Sequence, residues 1–326
     1  MLLLVTGATG KVGASLIAGL LRDPRWAGAR IRALCHNRSL APHDRVESVK
    51  GDIADRASVA HAMEGVTHVV HLATCKEVPE TVMDVTVKGL FWLLESFRQS
   101  PTARQFILIG GDAGIGHFFY EHDGPITEST PHRAYPGCYA LSKVLEEVML
   151  EQFRIQYGIN TCCLRAPWIM EKDDFRYSLS FGDDLFGGPD WKTMVPPEVA
   201  AACRRDGTVP LLRDAHGRPL KRNFVHVDDL VAAILAALDN PTAAGRLYNI
   251  AMDVPVDYGE VVTYLKETRG LPSIDIESRY HSTWLDNSRA RFELGWRPQY
   301  DLPRLIDAAW SYQRPADDPR KVWYPG

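Results

Sequence analysis

Tyr139 and Lys143 stand four residues apart in Y-A-L-S-K, at the start of a stretch that reads as a helix to about Tyr157. That spacing puts both side chains on one helix face. A phenol beside an ammonium is helped toward its ionised form, and so placed it can remove a proton from an alcohol or return one to a carbonyl. By itself such a pair is a common helix-surface contact. What precedes it changes the reading. The chain opens M-L-L-L-V-T-G-A-T-G-K-V-G, in which Leu2 to Thr6 reads as a short buried strand, Gly7, Gly10 and Gly13 as a turn, and Lys11 to Leu21 as a helix. Glycines let the backbone turn tightly and approach phosphates, and the free N–H groups at the helix start supply positive potential. A dinucleotide pyrophosphate would sit against Gly7, Thr9, Gly10, Lys11, Val12 and Gly13. A nicotinamide dinucleotide held there would exchange a hydride while Tyr139 moves the proton.

The elements between these two sites must bring them together. Arg30 to His36 reads as a second strand, and at its end an acid would accept hydrogen bonds from an NAD ribose. Here Cys35 and His36 occupy that end and Arg38 follows, so a 2′-phosphate is tolerated and the reading leans to NADP over NAD. Gly51-Asp52-Ile53 follows a short strand, Arg45 to Lys50; Asp52 can meet the adenine edge with Ile53 beside it, or cap the helix Ser58 to Met63. Thr67 to Leu72 is an apolar strand that runs from Leu72 into Ala73 and Thr74, small residues that let a nicotinamide ribose lie close, and His71 reads as a strand residue. Val85 to Phe97 has helical spacing and Gln105 to Ile109 is another strand. This alternation predicts an α/β fold, a Rossmann-type doubly wound parallel sheet with ligands at the carboxyl ends of its strands. Val225 to Leu238 (strand, then helix) and the strand Leu247 to Ile250 return to it. The division expected is a dinucleotide-binding domain, 1–167 and 222–251, and a smaller substrate-binding lobe, 168–221 and 252–326, with helices at Val254 to Thr268 and Leu302 to Trp310.

Taken in order, T-G-A-T-G-K-V-G, G-D-I, H-L-A-T, Y-A-L-S-K, L-R-A-P, R-N-F-V-H-V-D-D-L, Y-N-I and D-N-S-R-A-R-F-E-L-G-W-R-P give the chain a resemblance to the extended short-chain dehydrogenases/reductases of the sugar-nucleotide epimerase/dehydratase family. The resemblance implies that Tyr139 is the acid/base, that Lys143 orients the nicotinamide ribose, and that Gly7, Gly10, Gly13 and Asp52 help hold the cofactor. It also implies a homodimer paired through Val85 to Phe97 and the helix carrying Tyr139. Three departures stand out. Gly110 and Gly111 occupy the place of a Ser or Thr whose hydroxyl bonds the reacting oxygen, which makes Asp112 the candidate to replace it. Asp112 can equally cap its own loop. Ala113 stands at the dehydratase glutamate, which disfavours water elimination. In L-R-A-P-W, after Ala166, Trp168 replaces an Asn that contacts the substrate diphosphate, whereas Arg222 matches an arginine that holds it or pairs with Asp228 or Asp229. Gly111, Trp168 and Arg222 are therefore the substrate-binding candidates.

Glu171 to Trp191 mixes acids, aromatics and glycines with little periodicity. It reads either as a substrate-covering loop, with Asp173, Asp174, Asp183 and Asp184 accepting from sugar hydroxyls and Phe181 or Trp191 stacking on a ring, or as a solvated acidic loop. His117, Glu121 and His122 have metal-like residue types without a further ligand at matching spacing, so no metal is expected and the segment reads as a rim of the site. The tail from Asp317 to Gly326 is aromatic enough to pack on the body or a partner. A net charge of -4 with scattered Lys and Arg argues against nucleic acid and anionic membrane. Six cysteines without C-x-x-C spacing point to free thiols in a reducing, cytoplasmic setting, and no apolar run is long enough to span a membrane. The reading is an oxidoreductase or epimerase acting on an alcohol carbon of a sugar, sugar acid or sugar nucleotide. Its competitor is a non-catalytic NADP(H)-binding sensor of the same fold.

Overall fold

A computed structural model of the protein describes residues 1–182 and 189–318. Its strands, in chain order, are β1 (Leu2–Thr6), β2 (Arg30–Cys35), β3 (Val46–Lys50), β4 (His68–His71), β5 (Gln105–Gly111), β6 (Thr161–Ala166), β7 (Trp168–Met170), β8 (Val209–Arg213), β9 (Lys221–Arg222), β10 (Phe224–His226), β11 (Arg246–Asn249), β12 (Val256–Asp257) and β13 (Ser273–Glu277). The helices are α1 (Lys11–Arg22), α2 (Arg56–Ala62), α3 (Pro79–Val82), α4 (Gly89–Gln99), α5 (Cys138–Tyr157), α6 (Asp174–Ser178), α7 (Pro197–Asp206), α8 (Val227–Ala237), α9 (Tyr258–Arg269), α10 (Ser288–Glu293) and α11 (Leu302–Ser311).

Seven strands form one parallel sheet in the order β11-β6-β5-β4-β1-β2-β3. The order reverses between β1 and β4, which is where a doubly wound sheet opens a crevice for its ligand. Alternation along β1 explains the two cores. Leu3 and Val5 face α1 and α8, packing with Leu16, Leu20, Leu230 and Ile234, while Leu4 faces α2, α4 and α5, packing with Val59, Leu90, Leu94 and Phe153. A third core gathers Phe175, Trp191, Leu212, Phe224, Tyr258, Leu265 and Ile306 from segments between β7 and α11. The short sheets β10-β7, β12-β9 and β13-β8 frame it.

Several boundaries differ from the sequence reading. The helix expected from Val85 starts at Pro79, whose fixed backbone suits a first turn, and passes through a π-helical segment, Met83–Lys88, before α4. Strand β5 continues through Gly111. Helix α9 begins only at Tyr258, because the Asp257 carboxylate caps it by accepting from the Gly259 and Glu260 N–H groups. The segment 171–191 is a larger correction. Among its described residues it is lobe interior, not a sugar-covering loop. Phe181 and Trp191 are each 3% exposed, and the Trp191 indole donates to Ser178 O. Asp173 pairs with Arg314 at 2.5 Å, and Asp174 pairs with Lys11 at 2.5 Å while accepting from Glu171 N. Asp183 and Asp184 lie outside the described residues, as does the tail beyond Asp318, whose carboxylate accepts from Lys172 and Tyr312. All six cysteines are free thiols. Among the described residues no helix is long and apolar enough to cross a membrane.

Candidate active site

The three glycines of the first turn have different jobs. Gly7 has φ +63°, and a Cβ there would lie 2.8 Å from Ala73 N. At Gly13 a Cβ would be 2.3 Å from Gly7 O and 2.6 Å from Ala8 Cα, so the close approach of α1 to the β1 turn forbids any side chain. Gly10 is different: its Cβ would meet only Gly7 O at 3.2 Å, and as N-cap of α1 it makes no side-chain cap bond. Among the described residues little fills the space beside Gly10, and the first N–H groups of a helix such as α1 can receive an anion. These residues fit a dinucleotide pyrophosphate. Thr9 and Val12 lie in the same turn, and Lys11 donates to Ile169 O and Asp174, tying the turn to the lobe.

Along the crevice, the Thr6 hydroxyl accepts from Leu72 N and Ala73 N, and it meets His71 Nδ1 at 2.7 Å. This closes β1 onto β4 and sets the path of Leu72, Ala73 and Thr74. Burial, aided by the charge of Lys143, pushes His71 down to about 3, so it serves as a neutral strand residue. His36 is exposed past the end of β2 and Arg38 is half-buried beyond it. Asp52 Oδ1 accepts from Ala54 N at 2.8 Å, which makes an Asx turn ahead of α2, whose cap is Asp55; Ile53 is buried against the place a Gly89 Cβ would take. Ala166 ends β6, buried.

Tyr139 lies in the first turn of α5 and Lys143 one turn on, as the spacing requires. The Lys143 ammonium is 5.4 Å from the Tyr139 ring centre and Lys76 Nζ is 4.8 Å from it, so two cations flank the phenol. Lys143 is buried and donates to Glu146 Oε2 at 2.7 Å; both residues are fully enclosed, and Glu146 Oε1 has no partner among the described residues. Burial pushes the Glu146 carboxyl above the ordinary range despite Lys143. Burial pulls Lys143 down, but Glu146 and Tyr139 outweigh it and hold it above its usual value. The start of α5 is capped from outside: Glu77 accepts from Tyr139 N at 3.2 Å and from the Cys138 thiol, a favourable place for a carboxylate. Behind the site, Glu147 and Arg165 form a buried two-point ion pair at 2.9 and 2.7 Å that locks α5 to β6.

The two glycines of the missing hydroxyl separate. A Cβ on Gly110 would press on Cys163 Sγ at 2.9 Å, whereas one on Gly111 would lie 3.5 Å from the Tyr139 hydroxyl and 3.5 Å from Lys143 Cγ. Gly111 is therefore the position that faces Tyr139. The next residue, Asp112, does not merely cap its loop. Its Oδ2 meets His117 Nδ1 at 2.5 Å, and His117 Nε2 accepts from Arg222 Nη2 at 3.0 Å. Accepting at Nε2 requires the imidazole proton on Nδ1, donated to Asp112. Burial lowers His117 and Asp112 only partly offsets it, which agrees with a neutral ring. Arg222 also lies 4.1 Å over the ring of Trp168 and 4.5 Å over that of Phe118. The alternative partners do other work: Asp229 accepts from Gln299 N and Tyr300 N, and Asp228 from Asp228's neighbour in space, the Tyr300 hydroxyl.

The sequence reading did not include Glu77, Lys76, Glu146 or the pairing of His117 with Asp112 and Arg222. Two of these contacts are local, the three-residue step from Lys143 to Glu146 on α5 and the five-residue step from Asp112 to His117, which has φ +51°.

Comparison with known proteins agrees with this architecture. A profile described as the NAD dependent epimerase/dehydratase family matches residues 3–251. UDP-glucose 4-epimerase of Mycolicibacterium smegmatis is 27% identical, covering 93% of this chain and 95% of that protein. Sterol demethylase protein B of Methylococcus capsulatus is 29% identical, covering 96% and 99%. The crystal structure of a short-chain dehydrogenase/reductase superfamily protein from Agrobacterium tumefaciens with bound NAD matches with a TM-score of 0.78 at 25% identity, covering 95% of this chain and 96% of that one. A crystal structure of UDP-glucuronic acid 4-epimerase from Bacillus cereus, at 18% identity and a TM-score of 0.73, shares the fold. The chain belongs to the NAD dependent epimerase/dehydratase family and is an enzyme of the extended short-chain dehydrogenase/reductase type.

Proposed function

We propose that this enzyme oxidises or reduces an alcohol carbon of a sugar, sugar acid or sugar nucleotide, with Tyr139 as acid/base. The observation that carries the reading is the placing of the Tyr139 hydroxyl 3.5 Å from the Gly111 Cβ position, at the carboxyl end of β5, with Lys143 beneath its ring. A bound nicotinamide supplies the hydride acceptor or donor. Gly7, Thr9, Gly10, Lys11, Val12 and Gly13 hold the pyrophosphate; Leu72, Ala73, Thr74 and Ala166 line the crevice; Asp52 and Ile53 border the adenine side. His36 and Arg38 at the end of β2, with no acid there, support NADP as well as NAD. Tyr139 takes the alcohol proton, and Lys143 steadies the phenolate and orients the ribose. Asp112, fixed through His117 and Arg222, accepts a hydrogen bond from a substrate hydroxyl and so orients it without the hydroxyl that Gly111 lacks. Trp168 and the Arg222 face stacked on it form the wall against the sugar. We assign cofactor binding to 1–167 and 222–251 and the substrate lobe to 168–221 and 252–326, in a homodimer.

The test is nicotinamide absorbance, with isomer analysis of the same mixtures, for the wild type and Tyr139→Phe across free sugars, sugar acids and UDP-sugars, with NAD and NADP supplied separately. Net reduction of one cofactor that Tyr139→Phe abolishes establishes a dehydrogenase and its cofactor. A new isomer without net absorbance change establishes an epimerase. Turnover that survives Tyr139→Phe overturns the assignment of the acid/base.

A further inference from the structure

Outside the site just described, Glu121, His216 and His281 converge from three separate segments. Glu121 lies on the rim segment that carries His117 and His122, His216 sits in the turn between β8 and β9, and His281 follows β13. One ligand atom of each lies within 4.8 Å of the other two, and Glu121 Oε1 is 2.8 Å from His216 Nε2. His281 Nδ1 is buried and has no hydrogen-bond partner among the described residues. A buried imidazole nitrogen left without a partner costs free energy, and the imidazole that carries it stands in this cluster.

The three backbones are fixed in advance. Ala215 N donates to Tyr280 O at 2.7 Å, which joins the His216 turn to the His281 segment. His281 N donates to Phe118 O at 2.8 Å, which joins that segment to the rim. The turn is braced by the buried Asp214, whose Oδ1 accepts from His216 N at 2.9 Å and from Arg218 N at 3.0 Å, while its Oδ2 accepts from the Ser282 hydroxyl. The side-chain ends of Glu121 and His216 are exposed and adjust by rotation. Closing from at most 4.8 Å to the roughly 3.3 Å between ligands around a tetrahedral ion with bonds near 2.0–2.1 Å is a small movement.

We propose that Glu121, His216 and His281 bind one divalent transition-metal ion of the zinc class. Two imidazoles and one carboxylate suit zinc, cobalt or nickel, whereas magnesium and calcium want oxygen throughout. The Arg218 guanidinium, the nearest cation on the turn, is engaged by Asp214. The ion clamps the rim to the substrate lobe. That rim carries His117, the link between Asp112 and Arg222, and Phe118, which packs on Tyr280 with ring centres 4.4 Å apart. Metal occupancy therefore sets how firmly the mouth of the cleft is held, whichever reaction the enzyme performs.

The experiment uses the full chain without an affinity tag, freed of metal by a chelator and titrated with zinc by calorimetry and with cobalt by visible absorbance. Binding of a single ion per chain is expected, with a rise in Tm and a cobalt ligand-field band that lacks sulfur charge transfer. Glu121→Gln, His216→Ala and His281→Asn should each weaken binding by roughly tenfold or more. A Cys75→Ser/Cys138→Ser variant, which removes the two partly exposed thiols, should bind as the wild type does. No binding overturns the proposal, as does affinity unchanged by all three ligand substitutions or lost in the cysteine variant. Because His216 and Glu121 are exposed, their substitution tests the site without threatening the fold.

Discussion

At Gly111 the absence of a side chain is not imposed by packing. A Cβ there would make ordinary contacts at 3.5 Å with Tyr139 and Lys143, unlike Gly110, where Cys163 blocks it. Space for a Cβ therefore does not explain the missing hydroxyl. A carboxylate such as Asp112 orients a substrate by accepting from its hydroxyls, whereas a Ser or Thr both accepts and donates at the reacting oxygen. If Asp112 carries the orienting contact, Asp112→Asn should lower turnover about a hundredfold, the order seen when one such preorganised contact is lost. Cofactor affinity, read by nucleotide fluorescence, should stay as it was. Gly111→Ser should leave Tm unchanged and, placed in the Asp112→Asn background, recover at least part of the lost kcat. Full activity in Asp112→Asn would remove Asp112 from the mechanism.

Among elements, the β1 turn is the one whose logic is most local, and it was readable for that reason. A strand, three glycines and an amphipathic helix lie within Leu2 to Arg22, and the tasks of Gly10 and Gly13 follow from neighbours close in the chain, while Gly7 also meets Ala73. The sheet was readable in the same way, since its central strands β1, β4, β5 and β6 carry apolar runs. The segment 171–191 was not. Helix α6 is five residues long, too short to show a period, and the partners of its acids are Lys11 and Arg314, far away in sequence. Glu77 over the start of α5 and His216 beside Glu121 were hidden for the same reason: both contacts join remote segments. The glycine tasks yield a contrast within one turn. Gly13→Ala sets a Cβ 2.3 Å from a backbone oxygen, so α1 must shift, and thermal unfolding should show a clear fall in Tm. Gly10→Ala meets only one atom at 3.2 Å and keeps an allowed φ of -80°, so Tm should hold while NAD(P)H affinity falls, as titration by fluorescence would show. Equal losses of Tm in the two variants would contradict this division of labour.

On the scale of the whole molecule, α4 and α5 present exposed apolar side chains that the described residues do not cover. Leu141, Val148 and Ile155 recur every seven residues along α5 and are 48%, 38% and 57% exposed, and Phe91 on α4 is 38% exposed. A seven-residue repeat keeps these side chains on one side of the helix, so they form a stripe rather than scattered exceptions. A groove of about 440 Å³ is lined by Phe91, Trp92, Phe153, Tyr157, Arg56 and Arg98. A second copy applying the same helix would cover the stripe, since a two-fold interface matches a surface to itself. The helix concerned also carries Tyr139 and Lys143, so pairing would steady that helix from its outer side. Val148→Arg places a charge mid-stripe, away from Tyr139, and should turn a dimer into a monomer in analytical ultracentrifugation, with a dissociation constant at least tenfold weaker. Ile155→Arg should act the same way, while the folded far-UV spectrum persists in both. A wild type that sediments as a monomer at high concentration, or a Val148→Arg variant that remains dimeric, would place the interface elsewhere and leave the stripe to another partner.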